Sequence, residues 1–121
     1  MSRRDPSSAI QRPDPVTNSF DIVIIGSGPA GYVCAIRASQ LGLKVALVER
    51  EPVHGGTCLR VGCIPSKALL HASEMFENVG TRFAALGIRV VDPRLDLAGM
   101  MAHKDGAVDA SVRGVAFLFK K

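Results

Sequence analysis

Cys58 and Cys63 stand five residues apart in the run Gly55-Gly56-Thr57-Cys58-Leu59-Arg60-Val61-Gly62-Cys63-Ile64-Pro65-Ser66-Lys67. Paired thiols can trade electrons with a substrate dithiol, because a thiolate attacks a disulfide sulfur and expels its partner. On a regular α-helix, residues five apart have Cα atoms roughly 8–9 Å apart, whereas a disulfide requires about 4.4–6.8 Å. A bridge between the two therefore requires a distorted segment, which Gly62 and a helix starting at Pro65 would allow. Held in such a loop, the bridge would open and re-form readily. Two other readings stand beside this one. Zinc usually takes thiolates two to four residues apart with a second ligand pair, and here only His54 and His71 are nearby. Two structural thiols behaving as small hydrophobes are the plainer alternative, and Cys34, without a near partner, takes that reading alone.

A second group of residues could hold an anion. In Gly26-Ser27-Gly28-Pro29-Ala30-Gly31 the three glycines follow the G-x-G-x-x-G spacing. The first permits a tight turn, the second lets backbone approach a pyrophosphate, and the third lets helix and strand pack closely. The phosphate would sit on the helix N-terminus, where unpaired N–H groups and the dipole favour negative charge. Pro29, near the first helical turn, gives up an N–H that would lack an intrahelical partner anyway. Glu49 follows at the end of a second apolar run, placed to accept from a ribose 2′-hydroxyl and to repel a 2′-phosphate. A glycine-rich turn in a plain α/β domain is the alternative, and these residues do not separate FAD from NAD.

The elements that would position these groups can be read from periodicity. Residues 20–25, Phe-Asp-Ile-Val-Ile-Ile, form a β-branched apolar run that ends at Gly26 and reads as a buried parallel strand. Residues 32–41 carry Val33, Ile36, Arg37 and Leu41 at helical spacing before Gly42, and residues 44–48 give a second strand. Together they make a βαβ unit of about thirty residues. Residues 51–58 read as a loop and 66–79 as a helix with Leu69, Leu70, Met75 and Phe76 on one side. A turn at Gly87, a short extended piece over 88–91 and the Asp92-Pro93 break follow. Residues 96–121 read as a long amphipathic helix, weakened at Gly106 and Gly114. The fold class is α/β, a Rossmann-like nucleotide-binding domain with a parallel sheet and flanking helices, incomplete within these residues.

Composition narrows the function. Of 121 residues, 47% are hydrophobic and 21% charged, the balance of a globular protein with a packed core. The net charge of +4 includes Arg3, Arg4 and Arg12 in the first 18 residues, and with one Tyr and no Trp there is little from which to build a base-stacking surface. Nucleic-acid binding is not expected. No apolar run approaches the roughly 18 residues of a membrane span. Residues 1–18 lack the apolar stretch of a secretory signal and read as a disordered tail, and Asp5, Asp14 and three prolines spoil the amphipathic helix of a mitochondrial presequence. The expected compartment is the cytoplasm, where three cysteines are more consistent with a catalytic disulfide than a structural framework.

GSGPAG, Glu49, GGTCLRVGCIPSKALL and the closing GVAFLFKK together resemble the N-terminal part of the pyridine nucleotide-disulfide oxidoreductases, from Phe20 to Lys121. Within that family the Ser66-Lys67-Ala68-Leu69-Leu70 run looks most like the dihydrolipoamide dehydrogenases. Mercuric reductases share Ser-Lys, while glutathione, trypanothione and thioredoxin reductases usually carry two lysines after the proline. Arg60 departs from the usual Asn, and Ala30 replaces a frequent Gly. The resemblance implies that Gly26, Ser27, Gly28, Pro29, Ala30 and Gly31 cradle the FAD pyrophosphate, with Glu49 on the adenosine ribose. Thr57 and Lys67 would lie beside the flavin. Cys58 would be the interchange thiol of a Cys58–Cys63 disulfide, and Cys63 the charge-transfer thiolate. NAD⁺ would be the co-substrate, and no metal is implied. Complete relatives continue with further flavin contacts, an NAD-binding domain and an interface domain bearing a His-Glu base that His54, His71 and His103 do not match. Residues 19–121 are therefore expected to be the N-terminal portion of an FAD-binding domain, inactive alone. The parent would be a homodimer serving the lipoyl domains of 2-oxo acid dehydrogenase or glycine cleavage complexes. A non-catalytic nucleotide-binding module with a thiol switch is the competing class.

Overall fold

A computed structural model describes residues 19–121. The expectation for residues 1–18 lies outside the described residues. The β-branched run before the glycine turn forms strand β1 (Ile22–Ile25), and the second apolar run forms β2 (Val45–Val48). They pair in parallel with Ile22 opposite Val45 and Ile25 opposite Val48. Two further hydrogen bonds extend the pairing: Asp21 N–H donates to the Lys44 carbonyl at 2.9 Å, and Gly26 N–H to the Val48 carbonyl at 2.7 Å. Parallel neighbours need a crossover, here helix α1 (Pro29–Gln40), whose chain exits through Leu41 and Gly42, the latter at φ +85°.

Beyond β2 the structure revises several boundaries. The expected loop over 51–58 is cut short by helix α2 (Gly56–Arg60), so Thr57 and Cys58 are helical. The next helix, α3 (Cys63–Thr81), starts three residues ahead of the expected Ser66. Pro65 is its third residue, still among the first four positions whose N–H groups have no intrahelical partner, so it does not delay the start. A single 3₁₀ turn (Phe83–Leu86) ends at Gly87 in the left-handed region. Residues 88–91 pair with no strand, so the expected extended piece joins no sheet. Helix α4 (Leu97–Leu118) is capped by Asp96, whose Oδ1 accepts the Gly99 N–H at 3.0 Å, and runs unbroken through Gly106 and Gly114.

The core is smaller than the composition suggests. Among the described residues the buried apolar side chains are Ala35 and Ala38 of α1, Leu59 of α2 and Val115 of α4. Helix α1 packs on one face of the sheet, while α2 packs on α3 and α4, and those two pack on each other. The other face of β1 is bare: Val23 is 57% exposed and Ile25 86%. The expectation of a buried strand is thus corrected, because a parallel strand is buried on both faces only where elements cover both. Helix α3 shows the same incompleteness, with Leu70, Met75 and Phe76 exposed.

Candidate functional site

The glycine turn adopts the backbone its spacing requires. Gly26 has φ +93°, a conformation that L side chains rarely adopt. A Cβ on Gly31 would overlap the Gly26 carbonyl oxygen, which is the close helix-to-strand approach assigned to the third glycine. Space beside Gly28, the N-cap of α1, is open, and no side chain caps the helix. The N-terminal N–H groups of α1 are therefore available to an anion. Pro29 is the first helical residue, and Pro29 and Ala30 are both exposed.

Glu49, just past β2, turns its carboxylate back onto this turn. Its Oε2 accepts from the Ser27 backbone N–H at 2.8 Å and the Ser27 hydroxyl at 2.5 Å, and its Oε1 accepts from the Glu51 N–H at 2.9 Å. The bonds from the Glu51 N–H, the Ser27 hydroxyl and the Ser27 N–H favour the charged form and hold the carboxyl at about 2. Ser27 is the most completely buried side chain described. Three donors leave room on Oε1 for one more, so a ribose hydroxyl would share Glu49 with the protein. That role in fastening the turn was not anticipated from the sequence.

The cysteine segment is docked on the same turn. Gly55 N–H donates to the Ser27 carbonyl at 2.9 Å. Gly56, at φ +61°, lies so close to Gly28 that a Cβ would come within 2.7 Å of its Cα. Gly55 itself is at φ +115°, where a Cβ would meet Leu59. The consecutive glycines are the sequence signal for this contact. Between α2 and α3 the chain breaks at Val61-Gly62, with Val61 N–H still bonded to the Thr57 carbonyl at 3.0 Å. A Cβ on Gly62 would stand 3.1 Å from the same Thr57 carbonyl oxygen.

That break brings Cys58 of α2 and Cys63 of α3 together. The expected disulfide is not formed in this structure, since both are free thiols. The facing Cys63 side chain holds the Cys58 proton, and burial adds to the effect, so the Cys58 thiol lies above its ordinary range. Lys67 acts on Cys58 in the expected opposite sense, but as the smallest influence. Cys63 opens α3, where free N–H groups and the dipole favour an anion, and Lys67 follows one turn later on the same face. Cys34 is exposed, which corrects its reading as a buried hydrophobe.

Glu49, Arg50, Glu51, Gly56, Thr57, Arg60 and Val61 line a cavity of about 340 Å³ between the β2 acid and the cysteine helix. Arg60 Nη1 is 3.2 Å from Glu51 Oε2 across it. The donors of α1, the open space at Gly28 and this cavity suit a dinucleotide cofactor laid from helix N-terminus to acid. His54 is turned away from this ensemble: its ring meets Phe119 edge-on at 4.8 Å, and its Nδ1 is buried without a partner. Among the described residues no three His, Cys, Asp or Glu side chains gather as metal ligands, and no helix is long and apolar enough to cross a membrane.

Comparison with known proteins agrees with this architecture. Residues 20–121 match the family described as Pyridine nucleotide-disulphide oxidoreductase. The chain is 62% identical over 104 residues to dihydrolipoyl dehydrogenase 3 of Pseudomonas aeruginosa, covering 85% of this chain and 22% of that protein. It is 56% identical over 101 residues to dihydrolipoyl dehydrogenase 1, mitochondrial, of Arabidopsis thaliana, covering 84% of this chain and 20% of that one. Among solved structures, the Cu(II) complex of HOCl-induced flavoprotein disulfide reductase RclA from Escherichia coli matches with a TM-score of 0.65 at 27% identity, over 84% of this chain and 19% of that one. The chain thus spans well under half the length of the relatives it matches.

Proposed function

Because the chain belongs to the pyridine nucleotide-disulphide oxidoreductase family, we propose that the whole protein is a dihydrolipoyl dehydrogenase, of which these residues supply the adenosine end of the FAD site and the reacting cysteines. The observation that carries this reading is the juxtaposition of Cys58 and Cys63 on a segment seated against the glycine turn. The names of the relatives point to the lipoamide branch, as does Ser66-Lys67. In the oxidised protein a dihydrolipoyl thiolate attacks Cys58 Sγ; a substrate–Cys58 bond forms, the Cys58–Cys63 bond breaks, and Cys63 leaves as the thiolate. The second substrate thiolate then attacks the mixed disulfide, releasing lipoamide and leaving Cys58 reduced, so two electrons reside in the cysteine pair. Bound FAD would carry those electrons onward to NAD⁺.

The chain's own residues have distinct parts in this scheme. The α1 N–H groups and Gly28 would bind the pyrophosphate, Glu49 would take the ribose, and Thr57 and Lys67 would face the flavin. Lys67 stands one turn after Cys63 on α3. Cys58 keeps its proton more tightly than an ordinary thiol in the reduced pair. We extend the reading to lipoyl domains of 2-oxo acid dehydrogenase or glycine cleavage complexes as partners, to a homodimer, and to the cytoplasm as the compartment.

The test is steady-state turnover of the full-length protein, comparing oxidation of dihydrolipoamide by NAD⁺ with reduction of glutathione disulfide or of mercuric ion by NADH or NADPH. Dihydrolipoamide should be turned over fastest, and Cys58→Ser or Cys63→Ser should each cost at least about a thousandfold in kcat, as loss of a covalent participant does. Preference for mercuric ion would move the protein to that branch, and flavin-free protein without turnover would overturn the reading.

A further inference from the structure

A continuous polar chain runs from the glycine turn to the cysteine helix. The Ser27 N–H and hydroxyl bind Glu49 Oε2, the Glu51 N–H binds Glu49 Oε1, and the Glu51 carboxylate pairs with Arg60 at 3.2 Å. Arg60 closes α2 two residues after Cys58, and both ends of the ion pair are about one-third exposed, at 31% and 37%. Arg50 Nε also approaches Glu51, at 3.4 Å, but its side chain is 92% exposed, so solvent screens it. Arg60 is the cation whose position is fixed by a secondary-structure element lining the cavity.

We propose that Arg60 is a positioning residue for the adenosine end of the dinucleotide: through Glu51 it holds the 49–51 backbone, and so the Glu49 carboxylate, in register with the wall that carries Cys58. This rests on the FAD reading given above. The physical argument is one of constraint. Glu51 delivers its N–H to Glu49 only while its backbone is held near the end of β2, and residues 52–54 between it and the anchored Gly55 lie in neither helix nor strand. The ion pair fastens Glu51 to α2 beside the cavity that both residues line. The contact is an ion pair outside the set of side-chain hydrogen bonds, so a lysine ammonium can supply the same charge.

The experiment is FAD binding to the full-length apoprotein, followed by flavin fluorescence at low and high salt. Variants are Arg60→Gln, Arg60→Lys, Glu51→Gln, the Gln pair, and the exchanged pair Arg60→Glu with Glu51→Arg. Arg60→Gln and Glu51→Gln should each weaken FAD about threefold to fivefold, the range of a partly exposed ion pair. The double Gln variant should be no worse than either single one. Arg60→Lys and the exchanged pair should restore most of the loss, and 1 M salt should shrink the difference. At saturating FAD, kcat should be unchanged while the FAD requirement rises. Additive losses, or no change in FAD affinity, would overturn the role of Arg60 while leaving the function intact. If a Gln variant does not fold, the lysine and exchanged variants decide the matter by the same measurement. A wild-type apoprotein that takes up no FAD would sink the functional reading itself and this proposal with it.

Discussion

At the scale of single residues, Glu49 joins two roles that sequence spacing separates. Its place twenty-odd residues after the glycine turn is where a ribose acid is expected, and its carboxylate also ties Ser27 to Glu51. With the folded-state value near 2 and an unfolded carboxyl near about 4.3, this stabilisation is complete above the unfolded value and is lost as pH falls toward the folded one. Unfolding midpoints in urea for full-length wild type and Glu49→Gln should therefore differ at pH 7 and converge as pH drops from about 4.5 to 2. Curves that stay parallel over that range would show that the carboxylate adds no pH-linked stability. The acid and the cysteine pair could both be found from residue type and spacing. The Ser27 fastening could not, because Ser at that position is a general turn residue whose partner is set by tertiary contact.

At the scale of elements, the cysteine helix is placed by backbone approach rather than by side-chain packing. Gly56 combines a left-handed φ with contact against Gly28, so Gly56→Ala faces two penalties that no rotamer can relieve, and it should cost about 2 kcal/mol or more. Gly31→Ala meets the Gly26 carbonyl and should be similarly destabilising. Gly106 and Gly114 lie inside α4 with open space where a Cβ would go, so alanine there should stabilise by roughly 0.5–1 kcal/mol. Thermal unfolding of the four full-length variants checks the contrast; equal effects at all four sites would refute the close-approach account. The βαβ unit, the third helix and α4 were legible because period and punctuation coincide there. The α2 helix was not, since five residues behind a glycine cap offer no period to read, and Pro65 reads as a boundary although it lies within the first turn of α3.

At the scale of the molecule, the burial pattern of the described residues is that of part of a layered α/β domain. Parallel sheets are stable when helices cover both faces, and here α1 covers one while Val23, Ile25 and Val48 remain exposed on strands that each pair with only one neighbour. The exposed apolar side chains extend onto α3 and α4 at Leu70, Met75, Phe76, Leu97 and Phe117. Exposed apolar surface on a sheet face is where another element or chain packs, and the pairing edge of each strand offers a template for association. Sequence could state that these residues are apolar and periodic, but which face becomes buried depends on elements packing against them, and pattern alone is silent on that. Residues 19–121 produced alone should therefore bind a hydrophobic dye such as ANS strongly, sediment as more than a monomer and release flavin readily. The full-length protein should be dye-silent, with the same residues protected from hydrogen exchange. A 19–121 product that is monomeric, dye-silent and sharply melting would mean that α1, α3 and α4 supply enough burial by themselves, and the sheet's open face would then need another explanation.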